Sequence, residues 1–172
     1  MEIQIMSEGL EIERKFLAEM PETEKLCILS KTGITQTYLI RGENNSQRRV
    51  RRIDENGDVT YTYTEKHFIT PVIRDENERE ISSTEYDMLL MQRDAECVPV
   101  EKVRYRFEYK NQLFELDVYP FSDKLAILEL ELDTPEQEID FPGYIKIIKD
   151  VSADKKYSNA ALANAGAFPE LI

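Results

Sequence analysis

Histidine occurs once in this chain, at His67, tryptophan not at all, and cysteine twice, at Cys27 and Cys97. One histidine cannot supply a histidine-based zinc site or a Ser-His-Asp triad, so His67 is expected to be structural or exposed. The two cysteines lack metal-ligand spacing and make no disulfide framework. Both are expected as ordinary half-buried thiols in a reducing, cytoplasmic setting. The six glycines form no Walker-type loop and no Gly-x-Gly-x-x-Gly. No apolar run approaches the roughly 20 residues of a membrane span. The first residues carry no cationic head followed by an apolar stretch, so neither a membrane protein nor a secreted one is expected. Basic charge is also short, with 22 lysines and arginines against 34 acidic residues for a net charge of −12. That balance argues against nucleic acid and acidic membrane surfaces as partners, but leaves room for a small anion in a locally basic cleft.

What is abundant is alternation. In Glu11-Ile12-Glu13-Arg14-Lys15-Phe16-Leu17, a period of two puts Glu11, Glu13 and Lys15 on one face and Leu10, Ile12 and Phe16 on the other. This is the pattern of a half-buried strand, with Arg14 laying its stem along the apolar side. Two carboxylates two residues apart on a strand lie roughly 6–7 Å apart at Cα. They can converge on one divalent cation, and the lysine beside them can meet an anion that the cation also touches. Taken alone, the stretch reads first as the wet face of a surface sheet.

Farther along, Pro21 to Leu29 reads as a short helix closed by Lys31-Thr32-Gly33, with proline and acidic residues suited to a first turn. Ile34 to Ile40 is β-rich and runs into a polar loop, Gly42 to Ser46. Arg49 to Ile53 and Val59 to Phe68 form a hairpin about Asn56-Gly57. Val72 to Ile81 extends as a strand whose buried side the periodicity does not assign. Ser82-Ser83-Thr84-Glu85 is a capping box opening a helix that turns Tyr86, Leu89 and Leu90 to the core. Lys102 to Tyr109, Leu113 to Tyr119 and Leu125 to Asp133 are strands. Ile145 to Ile148 follows turns at Pro135 and Pro142-Gly143. A short helix runs from Ser158-Asn159 through Ala163 and stops near Gly166. The length suits one domain with a real core over residues 1–172, mainly β and antiparallel with a few helices.

On strand after strand the polar face carries paired charges. Arg49 pairs with Arg51, Lys102 with Arg104 and Arg106, Glu115 with Asp117, and Glu129 with Glu131, while the polar Thr64 accompanies Lys66 and Arg74 precedes Glu76 and Glu78. On a solvated face such pairs contribute about 0–1 kcal/mol either way. Turned inward in a closed sheet, like charges about 4 Å apart repel by roughly 4 kcal/mol at an effective dielectric of 20. Pairs of that kind persist only where something bound neutralises them. Acidic pairs want a divalent cation, basic pairs an anion with many oxygens, and a metal-bound polyphosphate supplies both. The residues alone leave the solvated and the inward arrangement open.

Glu11-x-Glu13-x-Lys15 resembles the ExExK signature of the CYTH family, the triphosphate tunnel metalloenzymes. Gln36-x-Tyr38-Leu39, Arg49-x-Arg51, Thr64-x-Lys66 and Arg74-x-Glu76-x-Glu78 follow in that family's order. So do Lys102-x-Arg104-Tyr105, Glu115-x-Asp117, Glu129-x-Glu131 and Lys155-Lys156-Tyr157-Ser158-Asn159. The resemblance implies a closed eight-stranded antiparallel β-barrel, a tunnel with a few helices packed outside. It implies a hydrolase that uses Mg2+ or Mn2+ on a small-molecule triphosphate bound end-on. Glu11, Glu13, Asp117, Glu129 and Glu131 would hold the metal. Lys15, Arg49, Arg51, Lys66, Arg74, Lys102, Arg104 and Lys155 would grip phosphate oxygens in charge-assisted pairs. Glu11, Glu13 and Lys15 would form the catalytic group. Glu76 and Glu78 would support it by orienting basic side chains or serving a second metal. The cations together would offset charge on the transferring phosphoryl group. The chain departs from the family at Asn77, where an aromatic residue is common, and at Pro120 to Lys124, which lacks the usual glycines.

Two other functions use the same residues. A class IV-like adenylate cyclase would make cyclic AMP and pyrophosphate from ATP in the same barrel, though nothing here reads as an adenine pocket. A non-catalytic polyphosphate or nucleotide sensor would bind without turnover. Either a monomer or a homodimer is compatible with the sequence.

Overall fold

Period-two alternation lets one sheet carry two different faces, and here the sheet rolls up on its charged one. A computed structural model describes residues 5–171, with the backbone alone for residues 5–8. Its strands are β1 (Ile5–Glu19), β2 (Ile28–Leu39), β3 (Gln47–Glu55), β4 (Asp58–Phe68) and β5 (Ile73–Ile81). They continue as β6 (Val100–Tyr109), β7 (Gln112–Val118), β8 (Leu125–Leu132) and β9 (Ile147–Asp150). The order is β5-β4-β3-β2-β6-β7-β8-β1, and β1 pairs back onto β5, so eight antiparallel strands close into a barrel. No helix among the described residues is long and apolar enough to cross a membrane.

Closure depends on β1. One of its edges pairs with β8 from Ile12 to Glu19. Its other edge pairs first with β5, from Ile5 to Ile12, and then with the short outer strand β9, from Phe16 to Ala18. In between, the Glu13 N–H donates to the Val72 carbonyl at 3.0 Å, and the Lys15 carbonyl accepts from the Val151 N–H at 2.9 Å. The strand that carries Glu11, Glu13 and Lys15 is therefore held from both sides.

Local chemistry shapes the connections. Asn56 and Gly57 turn the β3–β4 hairpin at φ of 54° and 90°, the left-handed region that a two-residue loop demands. The helix α1 (Ser83–Leu90) opens with the Ser82 hydroxyl accepting from the Glu85 N–H at 3.1 Å. The Glu85 carboxylate turns to Arg79 at 2.7 Å, so the capping box forms in one direction. In α2 (Asn159–Ala165), Ser158 caps the first turn and Gly166, at φ 63°, ends the last.

The helix expected over Pro21 to Leu29 is corrected to a single 3-10 turn, Thr23–Lys25, followed by the start of β2 at Ile28. A nine-residue helix is marginal alone, whereas Ile28 pairs with Phe107 in the ladder. Cys27, expected half-buried, is exposed between this turn and β2, and Cys97 is half-buried as read. His67 lies half-buried on β4, with its Nε2 3.9 Å from Glu65.

Three apolar clusters hold the barrel. Phe16, Phe107, Phe114, Leu116, Leu128 and Leu130 form an outer core. Leu39, Val50 and Ile81 pack with Tyr86 of α1. The third cluster closes one end of the barrel: Leu17, Tyr38, Val100, Tyr119 and Ile127 pack with Val151, Tyr157 and Leu162. Four of these residues lie one inward step beyond a charged group. Leu17 follows Lys15, Ile127 precedes Glu129, Tyr119 follows Asp117 and Val100 precedes Lys102. The inner face thus changes from charged to apolar at that end, where the C-terminal segment plugs it. Burying each such large side chain stabilises the plug by about 1.5–3 kcal/mol.

Candidate active site

Inside the barrel lies a cavity of about 570 Å³, lined by side chains from β1 through β8 and by Ser158 and Asn159 beside the plug. Strand register decides which groups meet there. Glu13 stands opposite Glu131, Lys15 opposite Glu129, Lys66 opposite Glu76, and Arg49 opposite Thr64.

The wall formed by β3, β4 and β5 is basic. Arg49, Arg51, Lys66 and Arg74 are all buried, and all four line the cavity. Glu76 stands between two of them, with Lys66 Nζ at 3.4 Å and Arg49 Nη2 at 4.0 Å. Burial favours the neutral acid there, but Lys66 and Arg49 overcome it and hold Glu76 ionised. Thr64 donates to Glu78 at 3.0 Å, which leaves both expected supporting carboxylates engaged by the basic wall. Arg51 Nε donates to the Gln36 side-chain oxygen at 2.7 Å, and the Gln36 amide donates to the Tyr38 hydroxyl at 2.8 Å. Arg74 sits 3.5 Å from Glu13 and 5.0 Å above the Phe68 ring. Cations outnumber carboxylates on this wall, and the strain shows in their acidities. Burial and the neighbouring Arg49 push Lys66 down to about 7, and burial with Arg49 and Arg104 pushes Arg51 down to about 10. Arg49 Nε and Arg74 Nε are buried with no partner among the described residues. This wall lacks negative charge.

The opposite side is short of positive charge. Burial raises Glu11 to about 7, with Glu76 and Glu131 adding to the shift. Glu131 is raised by burial and then by Glu13 and Glu115, and Glu115 is raised by burial despite Arg104 at 3.0 Å. Glu129 differs. Burial would raise it, but Lys15 at 3.4 Å and Arg104 at 3.5 Å bring it down to about 2. Among the described residues no three acidic, cysteine or histidine side chains already converge as a closed metal shell. The donors are nevertheless of the right kind: Glu11, Glu13 and Glu131 are hard oxygen ligands in one cavity, held at a cost that a divalent cation would relieve.

Three expected site residues stand elsewhere. Asp117 and Lys102 are paired with each other at 2.7 Å, both side chains fully buried, and neither lines the cavity. Arg104 completes the pair, Nε to Asp117 Oδ1 at 2.7 Å and Nη2 to Oδ2 at 2.9 Å. Asp117, expected as a metal ligand, has both oxygens engaged and anchors Arg104 in this structure. Lys102, expected to grip phosphate, is a buried partner of Asp117 here. Burial opposes ionisation of Asp117, but Arg104 and Lys102 hold its carboxyl far below the usual range. Lys155, expected on phosphate, is exposed in the 3-10 turn Lys155–Tyr157 and borders a separate outer groove with Arg14, Asp150 and Ser152. The sequence reading also passed over residues that do line the cavity or serve it. Gln36, of the Gln36-x-Tyr38-Leu39 motif, is fully buried, and a buried amide in a β-rich run signals a fixed partner. Thr60 and Thr62 show only their place in the alternation, and Asn159 only its place as the last residue of the Lys155–Asn159 motif.

The closed barrel sets a basic wall against an acidic one around a single cavity, and that makes it a charged-tunnel protein. The CYTH domain model matches residues 9–152, and the chain belongs to the CYTH domain family. It is 29% identical over 157 residues to an inorganic triphosphatase of Acetivibrio thermocellus, covering 90% of this chain and 93% of that one. It is 30% identical to the inorganic triphosphatase NE1496, whose crystal structure superposes with a TM-score of 0.55 over 89% of this chain and 93% of that one. A putative adenylate cyclase of Bacillus halodurans shares the fold at 16% identity and a TM-score of 0.51, covering 76% of this chain and 84% of that one.

Proposed function

We propose that this protein hydrolyses inorganic triphosphate, or another compound ending in a triphosphate, inside the barrel with Mg2+ or Mn2+ as cofactor. The observation that carries the reading is the coexistence in one cavity of surplus buried cations and surplus carboxylates. The similarity to two inorganic triphosphatases supports the choice of substrate and of hydrolysis over cyclisation.

Arg49, Arg51, Lys66, Arg74 and Arg104 would bind phosphoryl oxygens, with Gln36 setting the Arg51 guanidinium and Glu76 setting Lys66 and Arg49. Glu11, Glu13 and Glu131, with Glu129 beside them, would hold the divalent cation. When bound, that cation supplies charge neutralisation and makes an attacking water more acidic. Lys15, kept in place by Glu129 at 3.4 Å, would donate to the phosphoryl group as charge shifts onto its oxygens. The walls limit access of bulk water, which strengthens each of these contacts.

Phosphate release from tripolyphosphate, ATP and thiamine triphosphate with Mg2+ and with Mn2+ tests the proposal, and tripolyphosphate is expected to turn over fastest. It is overturned if none releases phosphate while the Acetivibrio thermocellus enzyme does so in parallel.

A further inference from the structure

Asn159, the first residue of α2, lines the tunnel where the plug begins. Its side-chain oxygen accepts from Lys102 Nζ at 3.3 Å and from the Tyr119 hydroxyl. The lysine determines which way the amide points. An ammonium has hydrogens to give and no lone pair to offer, so the atom facing it is the oxygen. Asp117 accepts from the same Nζ at 2.7 Å and holds the lysine in place. The amide nitrogen must then point away from Lys102 and Tyr119. It has no acceptor among the described residues, and the residue is only half-buried, at the cavity surface.

We infer that Asn159 is a substrate-binding residue, whose amide nitrogen donates to a phosphoryl oxygen lying against the plug end of the tunnel. Lys102 and Tyr119 are positioning residues that act through it. The inference rests on the proposed function above. It also gives Lys102 a purpose that its burial would otherwise deny it: the lysine orients a neutral donor and touches no phosphate itself. A neutral donor suits this end. It can bind phosphate without adding to the mutual repulsion of Arg49, Arg51 and Lys66.

Asn159→Asp separates this role from a structural one. A carboxylate still accepts from both Lys102 and Tyr119, so the lock survives, but the atom facing the tunnel becomes an anion in place of a donor. We expect an unchanged or higher melting temperature and at least about a tenfold loss of tripolyphosphate affinity, measured by calorimetry without divalent metal, since hydrogen bonds to charged groups are the stronger kind. In turnover assays KM should rise more than kcat falls. A second variant, Tyr119→Phe, frees one side of the amide. Its affinity loss should be a few-fold in the wild-type background and vanish in the Asn159→Asp background, whereas a purely structural effect would persist in both. If the wild-type protein does not bind tripolyphosphate, the proposed function itself falls. If wild type binds and Asn159→Asp binds equally well, the assignment of Asn159 is overturned while the function stands.

Discussion

Glu13 and Glu131 face each other directly across the β1–β8 ladder, two carboxylates at one register step on the inner face of a closed barrel. Directly opposed like charges destabilise a sheet. Among the described residues, Glu13 alone of the two has a salt-bridge partner, Arg74 at 3.5 Å.

The first prediction follows from that pair. Glu131→Gln should leave the metal-free protein as stable as wild type or more so, because it removes a charge whose ionisation the fold resists. Turnover should fall by at least about a hundredfold, the scale of losing one electrostatic contribution to a transition state. Glu11→Gln should behave alike. Melting curves and phosphate release measure the two effects, and wild-type turnover in either variant would refute the metal assignment.

Asp117 should behave in the opposite way. Asp117→Asn breaks a buried ion cluster and leaves Lys102 without its counter-charge, at a cost of about 3–5 kcal/mol at neutral pH. The folded carboxyl lies well below its ordinary pKa of 3.8. Its stabilising contribution is therefore complete above about pH 4 and is lost as the pH falls further. The gap in stability between wild type and variant, followed by urea unfolding from pH 7 down to pH 3, should narrow on the acid side. An equal gap across the range would count against the ion cluster.

Lys66 should take up a proton when the tunnel fills. In the free protein it is pushed down to about 7, against an ordinary value of 10.5. A bound polyanion restores the charged form, so between about pH 7 and pH 10 binding should draw in up to one proton at this site. Calorimetry of tripolyphosphate binding without metal, in two buffers of different ionisation heat, reads the uptake. Lys66→Met should remove that part of it. The same uptake in the variant would place the titration elsewhere.

The plug should contribute stability separately from the charged site. Leu162 is fully buried in the apolar end of the barrel, and Leu162→Ala should cost about 2–5 kcal/mol. Thermal unfolding checks this, and a cost under about 1 kcal/mol would mean that the plug packs loosely.

The charged half of the tunnel could be read because its periodicity is local. Glu11, Glu13 and Lys15, or Arg49 and Arg51, announce a common face within a few residues, whatever the fold. Asp117 shows what escapes such reading. In the sequence it looks like Glu115, two positions away, and only the register of β6 against β7 sets it opposite Arg104 with Lys102 within reach. The plug escapes for a related reason. Leu17 and Ile127 look like ordinary strand residues, and their inward direction matters only once the C-terminal segment reaches them. Pro21 to Leu29 misleads because its first-turn composition is genuine, while the ladder to β6 decides where Ile28 goes.

The pairing of β1 also sets an order of events during synthesis. The segment bearing Glu11, Glu13 and Lys15 is made before the strands it pairs with: one of its edges waits for β8 and part of the other for β9. The hairpins of β3 with β4 and of β4 with β5 close locally and early, whereas joining Lys15 to Glu129 must wait for most of the chain. Until then the acidic strand has no lid of opposing residues and the plug does not exist. A chain interrupted before β8 therefore carries the full ExExK stretch and no binding site, and catalytic competence arrives in a single late step.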